Sequence, residues 1–114
     1  MADSWKFDTQ AHLIVRGTNR GDIQDVFLSR PRPLPILDLN GDREEILVGK
    51  LVSTENHPAV QFAVKEALSW QLELTDAGRS VGLKVLGPDT WNGTIRMLKF
   101  LALRAGVNEV QLDG

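Results

Sequence analysis

The chain of 114 residues has no cysteine and no tyrosine, and it has only two histidines. The lack of cysteine excludes disulfides, zinc sites built from thiolates and cysteine nucleophiles. No apolar run approaches the roughly 18 residues that a membrane-spanning helix needs. The first ten residues, MADSWKFDTQ, lack the basic and then apolar regions of a secretory signal. These absences predict a cytoplasmic protein that has no disulfides and does not bind a membrane.

The composition is that of an ordinary soluble domain, with 42% apolar and 25% charged residues. The net charge of −2 argues against bulk electrostatic attraction to nucleic acid. The charge is nevertheless uneven, because residues 35–76 carry three basic and eight acidic side chains, whereas residues 77–114 carry five and three. An acidic middle and a basic final third indicate two functional faces, although such unevenness is also common in small proteins.

Hydrophobic periodicity and turn signals predict an α+β fold with the element order βα-ββα-ββα-β. Helices are expected on one face of a mostly antiparallel or mixed sheet. The first six elements, βαββαβ, also fit a ferredoxin-like arrangement. The predicted elements are a strand over 12–17, a helix over 22–30, strands over 36–39 and 45–52, a helix over 57–70, strands over 72–75 and 80–87, a last helix that ends at Gly106 and a strand over 108–112.

Several residues mark the ends of the predicted elements. Asp22 is a good N-cap for the first helix, and Pro31 stops that helix. The segment DAGR (76–79) predicts a hairpin turn between two strands. The last helix has three candidate N-caps, Asp89, Thr90 and Thr94.

The chain length predicts a single domain, with residues 1–10 as a loosely ordered segment and residues 11–114 as the domain. Within the domain, two hairpin-helix units are predicted over 36–70 and 71–106. The tripeptides LDL and KLV in the first unit resemble LEL and KVL in the second. A duplication and two instances of a common motif both explain this similarity.

The acidic stretch LDLNGDREEI (37–46) is the first candidate for chemistry. Positions one, three and five of an EF-hand calcium loop are matched by Asp38, Asn40 and Asp42. Position six is Arg43, where the loop needs glycine, and position twelve is Gly49, which offers no ligand. The asparagine-glycine pair at 40–41 instead predicts a tight hairpin turn.

A metal-dependent hydrolase or nuclease would need carboxylates and a lysine that converge on a metal ion. The candidates are Asp38, Glu44, Glu45 and Lys50. Glu45 and Lys50 are five residues apart, so regular alternation predicts that they point to opposite faces of a strand. The chain contains no P-loop, no G-x-S-x-G and no G-x-G-x-x-G. The sequence therefore predicts no catalytic residue, no metal site and no cofactor.

The last predicted helix is the best candidate for a partner-binding surface. It carries Arg96, Lys99 and Arg104 and no acidic residue. The helix macrodipole favours Arg104 near the C-terminus, which leaves the other two cations available to an acidic partner. Trp70 and Trp91 lie at predicted helix ends, where each is either an interface anchor or a core residue. The partner-binding candidates are therefore Trp70, Trp91, Arg96 and Lys99, and Phe62 and Phe100 are assigned to the core.

A second set of basic residues is the candidate for anion binding. The segment RGTNRGD (16–22) could hold a phosphate through successive backbone amides and nearby arginines. The alternative is a loop whose glycines serve turn geometry. The anion-binding candidates are Arg16, Arg20, Arg30 and Arg32.

Three hypotheses about function follow from these patterns. The first is a small non-catalytic interaction or regulatory module that binds another protein or a second copy of itself. The second is a phosphate or nucleic-acid binder that uses the four arginines at 16, 20, 30 and 32 together with Arg96 and Lys99, although missing aromatics weigh against RNA. The third is a metal-dependent hydrolase or nuclease.

Overall fold

The residues that the structure describes form one α+β domain, in which a curled and mixed six-stranded sheet packs with two helices. The computed structural model describes residues 11–31, 43–53 and 69–113. The elements in chain order are β1 (His12–Gly17), β2 (Ile23–Pro31), β3 (Arg43–Ser53), β4 (Trp70–Leu74), α1 (Asp76–Ser80), β5 (Leu86–Asp89), α2 (Trp91–Arg104) and β6 (Glu109–Asp113).

The strand order in the sheet is β5-β4-β3-β2-β1-β6. Strands β1 to β5 pair antiparallel with their neighbours in sequence, and β6 pairs parallel with β1. Because α2 connects β5 at one edge to β6 at the other, it has to cross the sheet. A helix of 14 residues is about 21 Å long, close to the roughly 24 Å across six strands.

The hydrophobic core lies between α2 and one face of the sheet. Alternate residues of the strands point into it, as in β2, where Val26 and Leu28 are fully buried. Ala77 and Val81, in and beside α1, pack against the same core. Both helices therefore cover the same face of the sheet. The buried residues of the core are Ala11, Leu13, Val15, Val26, Leu28, Val48, Leu51, Trp70, Leu72, Leu83, Trp91, Ile95, Leu98, Leu101, Ala102, Ala105 and Val107.

The predicted ferredoxin-like arrangement is wrong, because the first helix of that scheme is a strand. Residues 22–30 were expected to be a helix capped by Asp22, but β2 occupies Ile23–Pro31 and pairs with both β1 and β3. The spacing of its buried residues satisfies a strand, because Gln24, Val26 and Leu28 alternate with the half-buried residues at 23, 25 and 27. Pairing on both sides of the strand decides the outcome.

The region around 70–90 also differs from the prediction. The expected hairpin turn at 76–79 is the helix α1, whose N-cap is Thr75. Trp70, expected at the end of a helix, is the first residue of β4, and the strand expected over 80–87 begins only at Leu86. The second hairpin-helix unit therefore contains a helix where its turn was expected.

Five other predictions are confirmed. The strands over 12–17, 45–52, 72–75 and 108–112 correspond to β1, β3, β4 and β6. The last helix has Thr90 as its N-cap, and Gly106 takes a positive φ of 82° just after its end. The strand over 36–39, the turn at 40–41, the helix over 57–68 and the segment 1–10 lie outside the described residues, so the duplication stays a prediction. Within the described ranges, no helix is long and apolar enough to cross a membrane.

Candidate functional site

The outward side of α2 carries an unusual number of apolar side chains. Its inward side is buried in the core, as the helical spacing of Ile95, Leu98 and Leu101 predicts. On the outward side, Met97, Phe100 and Leu103 are 42%, 56% and 63% exposed. Apolar residues thus occupy both sides of α2, although among the described residues only the inward side contacts the core. Phe100, which was assigned to the core, lies at the surface.

Three cations share the outward side of α2 with these apolar residues. Arg96, Lys99 and Arg104 are all exposed, and α2 contains no acidic residue. Within the part of the chain that the structure describes, none of the three side chains makes a hydrogen bond or an ion pair. We call the surface formed by Arg96, Met97, Lys99, Phe100, Leu103 and Arg104 the α2 face.

A groove of about 290 Å³ opens between α2 and β6. Lys99 and Leu103 line it on the helix side, and Glu109 and Val110 line it on the strand side. A second groove of about 220 Å³ lies at the other end of the crossing, between Met97 of α2 and the β5 strand. The α2 face is therefore bordered by concave surface on both sides.

The two edges of the sheet differ in how open they are to another strand. Strand β5 has four residues and includes Pro88, which cannot donate a backbone hydrogen bond. Strand β6 has five residues and no proline. Among the described strands, only β1 pairs with it. The groove beside α2 thus borders a sheet edge whose outer backbone groups have no partner strand in that set.

Neither tryptophan candidate is available at the surface. Trp70 is fully buried and Trp91 is 7% exposed. Their rings contact each other edge to face, and the Thr94 hydroxyl donates to the Trp70 carbonyl oxygen at 3.3 Å. Both side chains therefore belong to the core, where the start of β4 meets the start of α2. Of the partner-binding candidates, Arg96 and Lys99 are the two that reach the surface.

The candidate Arg16 is held by acidic residues from two other strands. Its guanidinium donates to Glu45 at 3.0 and 3.2 Å and to Asp113 at 3.3 Å. The same group lies over the ring of Phe27, 5.1 Å from its centroid. The hydrogen bonds from Arg16 lower the pKa of Glu45 below its ordinary value. Arg16 of β1 thus contacts residues of β2, β3 and β6 on the face of the sheet that lies away from α2.

Of the remaining arginine candidates, two bind carboxylates and one lies outside the described residues. Arg20 donates to both carboxylate oxygens of Asp22, at 3.1 and 2.8 Å, and this lowers the pKa of Asp22. Arg30 donates to Glu44 across the β2–β3 pair. Arg32 lies outside the described residues. Since Arg16 and Arg30 point to opposite faces of the sheet, the structure does not assemble an anion site from them.

The acidic candidates do not converge either. Glu44 and Glu45 are consecutive in β3, point to opposite faces and bind different arginines. Asp38 lies outside the described residues. In the described ranges, no group of three histidine, aspartate or glutamate side chains could hold a metal ion.

One predicted detail of β3 is wrong. Glu45 pairs with Ser29 of β2, and Lys50 pairs with Asp25 of the same strand. Ser29 and Asp25 are four residues apart, so their side chains lie on the same face of β2. Glu45 and Lys50 therefore point to the same face, because β3 has one extra residue where the register shifts between Val26 and Phe27, and such a bulge offsets the alternation of side chains by one.

The outward residues Met97, Phe100 and Leu103 were missed as candidates. Their spacing of three residues is visible in the sequence, but the same spacing also fits a core stripe. Comparison with known proteins offers no guide here, since no family model, no curated protein and no solved structure matches the chain.

Proposed function

We propose that this protein is a non-catalytic protein-binding module and that the α2 face is its contact surface. One observation carries the proposal: three exposed apolar side chains and three cations, which have no ion pair with any described residue, share one surface of a helix that contains no acid. Single exposed apolar residues are common on proteins. A cluster of three with charged neighbours is typical of an interaction surface.

The composition of the α2 face indicates the chemistry of the partner. Phe100 is a large apolar anchor, and burying such a side chain contributes about 1.5–3 kcal/mol. Met97 is flexible and polarisable, which suits it to a surface that adapts to a bound chain. The cations add specificity and speed of association when the partner is acidic. The expected partner is therefore a protein surface with apolar residues surrounded by carboxylates.

Nucleic acid is a weaker fit to the same surface. The arginines Arg16, Arg20 and Arg30 bind carboxylates, and the α2 face offers three cations that have no ion pair in the part of the chain that the structure describes. A binding protein that neutralises only three phosphates gains little affinity at physiological salt. In the described ranges, Phe100 is the one aromatic side chain exposed beyond half of its surface, whereas base stacking usually employs several.

Affinity capture with matched surface variants tests the proposal. The immobilised wild-type protein, Phe100→Ser and Val85→Ser are incubated with lysate of the source organism, with and without nuclease. Phe100 and Val85 are 56% and 67% exposed, so both substitutions spare the core, but only Phe100 lies in the α2 face. We expect a nuclease-resistant protein that wild type and Val85→Ser retain and Phe100→Ser loses.

Two outcomes contradict the proposal. Retention of every partner by Phe100→Ser would show that binding uses another surface. Loss of all captured material after nuclease treatment would favour the nucleic-acid alternative. Sedimentation of the purified chain over a range of concentrations identifies the case in which the partner is a second copy, because its association would then weaken in Phe100→Ser alone.

A further inference from the structure

We propose that the partner contributes an extended strand that adds to the outer edge of β6 and lies in the groove beside α2. This inference rests on the proposed function, because it names the form of the bound segment at the same site. Strand addition is a common mode of peptide recognition, in which backbone hydrogen bonds give affinity and alternate side chains give specificity. Three features of the described structure support a bound strand: the edge of β6, the groove beside α2 and the charges around them.

The edge of β6 is suited to accept a strand. Its N–H and C=O groups alternate in direction, so about half of them point away from β1. Within the described ranges, no strand pairs with that side. The opposite edge of the sheet is blocked by Pro88 in β5, and edges are commonly protected in this way. Strand β6 has no such protection in its interior, where Val110, Gln111 and Leu112 follow one another.

The groove lies where alternate side chains of an added strand would point. Val110 pairs with Leu13 and Leu112 with Val15 in the parallel register, so both belong to the face that α2 covers. Leu112 is nevertheless 56% exposed, because nothing described extends the sheet beyond it. An added strand would continue this apolar layer, and its inward residues would contact Leu112 and Leu103.

Charge selects the residues of the bound segment on each face. On the α2 side the groove presents Lys99 without an ion pair in the described ranges, so an acidic side chain is favoured there. Although Glu109 borders the groove, it precedes Val110 in β6 and pairs with His12, so strand alternation points its side chain to the opposite face, where it favours a cation in the partner. The inferred ligand is thus an extended segment with apolar residues at alternate positions, one carboxylate among them and a basic residue on the opposite face.

The same charges disfavour pairing between two copies of β6. An antiparallel pair centred on Gln111 would place Glu109 of one copy opposite Asp113 of the other. Like charges directly opposite each other destabilise a strand pair. The carboxylate of Asp113 is only partly compensated by Arg16, at 3.3 Å. The edge of β6 is therefore expected to bind a strand of a different protein in preference to β6 of a second copy.

Peptide selection followed by backbone methylation tests the inference. A display library of random ten-residue peptides is selected on the full-length protein, and the tightest peptide is synthesised. We expect apolar residues at every second position. Variants of this peptide are then made with one backbone amide N-methylated at a time. Since every second N–H of an added strand faces β6, methylation at these alternate positions should weaken binding about tenfold or more. Methylation at the positions between them should change binding little.

Hydrogen exchange and a charge variant locate the bound peptide. Backbone amides in 110–112 should exchange more slowly when the peptide is bound. Lys99→Glu should weaken a peptide that carries the carboxylate, whereas Lys84→Glu, an exposed substitution away from the groove, should not. A peptide whose apolar residues recur every three to four positions, or whose binding ignores N-methylation, would overturn strand addition.

The failures of the two proposals are distinguishable. If Phe100→Ser loses the captured protein but β6 gains no protection from exchange, the α2 face binds a partner and the strand inference is wrong. If no peptide is selected at all, the strand inference is also wrong, because a short extended segment should suffice. A dimer that protects β6 in both copies would likewise overturn it.

Discussion

The rings of Trp70 and Trp91 meet edge to face, with their centroids 5.1 Å apart and an angle of 69° between their planes. Trp70 begins β4 and Trp91 begins α2, so this contact joins the sheet to the start of the crossing helix. Such aromatic pairs contribute about 0.5–1.5 kcal/mol beyond the burial of their surface. The contact packs the start of α2 against the sheet.

Truncation of this pair should cost much of the stability of the domain. Because Trp70 is fully buried, Trp70→Ala is expected to lower the free energy of unfolding by about 3–5 kcal/mol. The measurement is urea denaturation followed by circular dichroism. Val85→Ala, at a largely exposed position, is the control and should change stability by less than about 0.5 kcal/mol. Equal effects of the two substitutions would contradict the described core.

The ion pair between Arg16 and Glu45 should make stability depend on pH in a defined direction. The folded-state pKa of Glu45 lies below its ordinary value of 4.5, chiefly because Arg16 donates hydrogen bonds to the carboxylate. The stabilisation is therefore fully present above about pH 4.5 and is lost as the pH falls through the lower folded-state pKa. A double-mutant cycle of Arg16→Met and Glu45→Gln isolates the coupling.

The coupling free energy from this cycle should be favourable at neutral pH and should shrink towards zero in acid. Both side chains are more than a third exposed, so salt should weaken the coupling as well. A coupling that grows on acidification would mean that Glu45 binds Arg16 in some other protonation state and would contradict the assignment.

Gly78 of α1 should tolerate no side chain. A Cβ atom there would overlap the carbonyl oxygen of Val48 in β3, so Gly78→Ala has to push α1 away from the sheet. We expect a loss of about 1–3 kcal/mol, the usual range for overpacking, in urea denaturation. Gly87→Ala is the matched control, because a Cβ atom at that position would have no neighbour within 4 Å. A neutral Gly78→Ala variant would contradict the docking of α1 on β3.

The hydroxyl of Thr75 should matter more than its methyl group. It accepts from the backbone N–H of Gly78 at 3.1 Å and donates to the Leu47 carbonyl oxygen at 2.8 Å. Thr75→Val removes both hydrogen bonds at nearly constant volume and should cost about 1–2 kcal/mol, as the loss of an N-cap does. Thr75→Ser keeps the hydroxyl and should lose less. Similar losses in the two variants would show that packing, and not capping, holds α1.

Some parts of the candidate site can be predicted from the sequence and others cannot. The net basic charge of α2 and the surface position of Arg96 and Lys99 follow from the sequence, because long cations rarely enter a core without a partner. The exposure of Phe100 does not follow from it. An apolar residue at helical spacing fits either side of a helix, and only the position of the sheet decides which side is covered.

The arginines also differ in how far along the sequence their binding partners lie. Arg20 binds Asp22, two residues away, and a turn of this kind can be anticipated from its residues. Arg16 binds Glu45 and Asp113, which are 29 and 97 residues distant. These partners meet only because β1 lies next to β6 and one strand away from β3, so the sequence alone is compatible with Arg16 as an anion ligand.

Local sequence patterns suffice to predict the α+β class, the strands β1, β3, β4 and β6 and the helix α2. In α2 the signals are local and agree, since Thr90 caps the first turn, the buried stripe recurs every three to four residues and Gly106 follows the end. The formation of β2 by residues 23–31 depends instead on contacts with residues distant in sequence. Their apolar spacing satisfies both a helix and a strand, and pairing with β1 and β3 supplies the backbone hydrogen bonds that favour the strand.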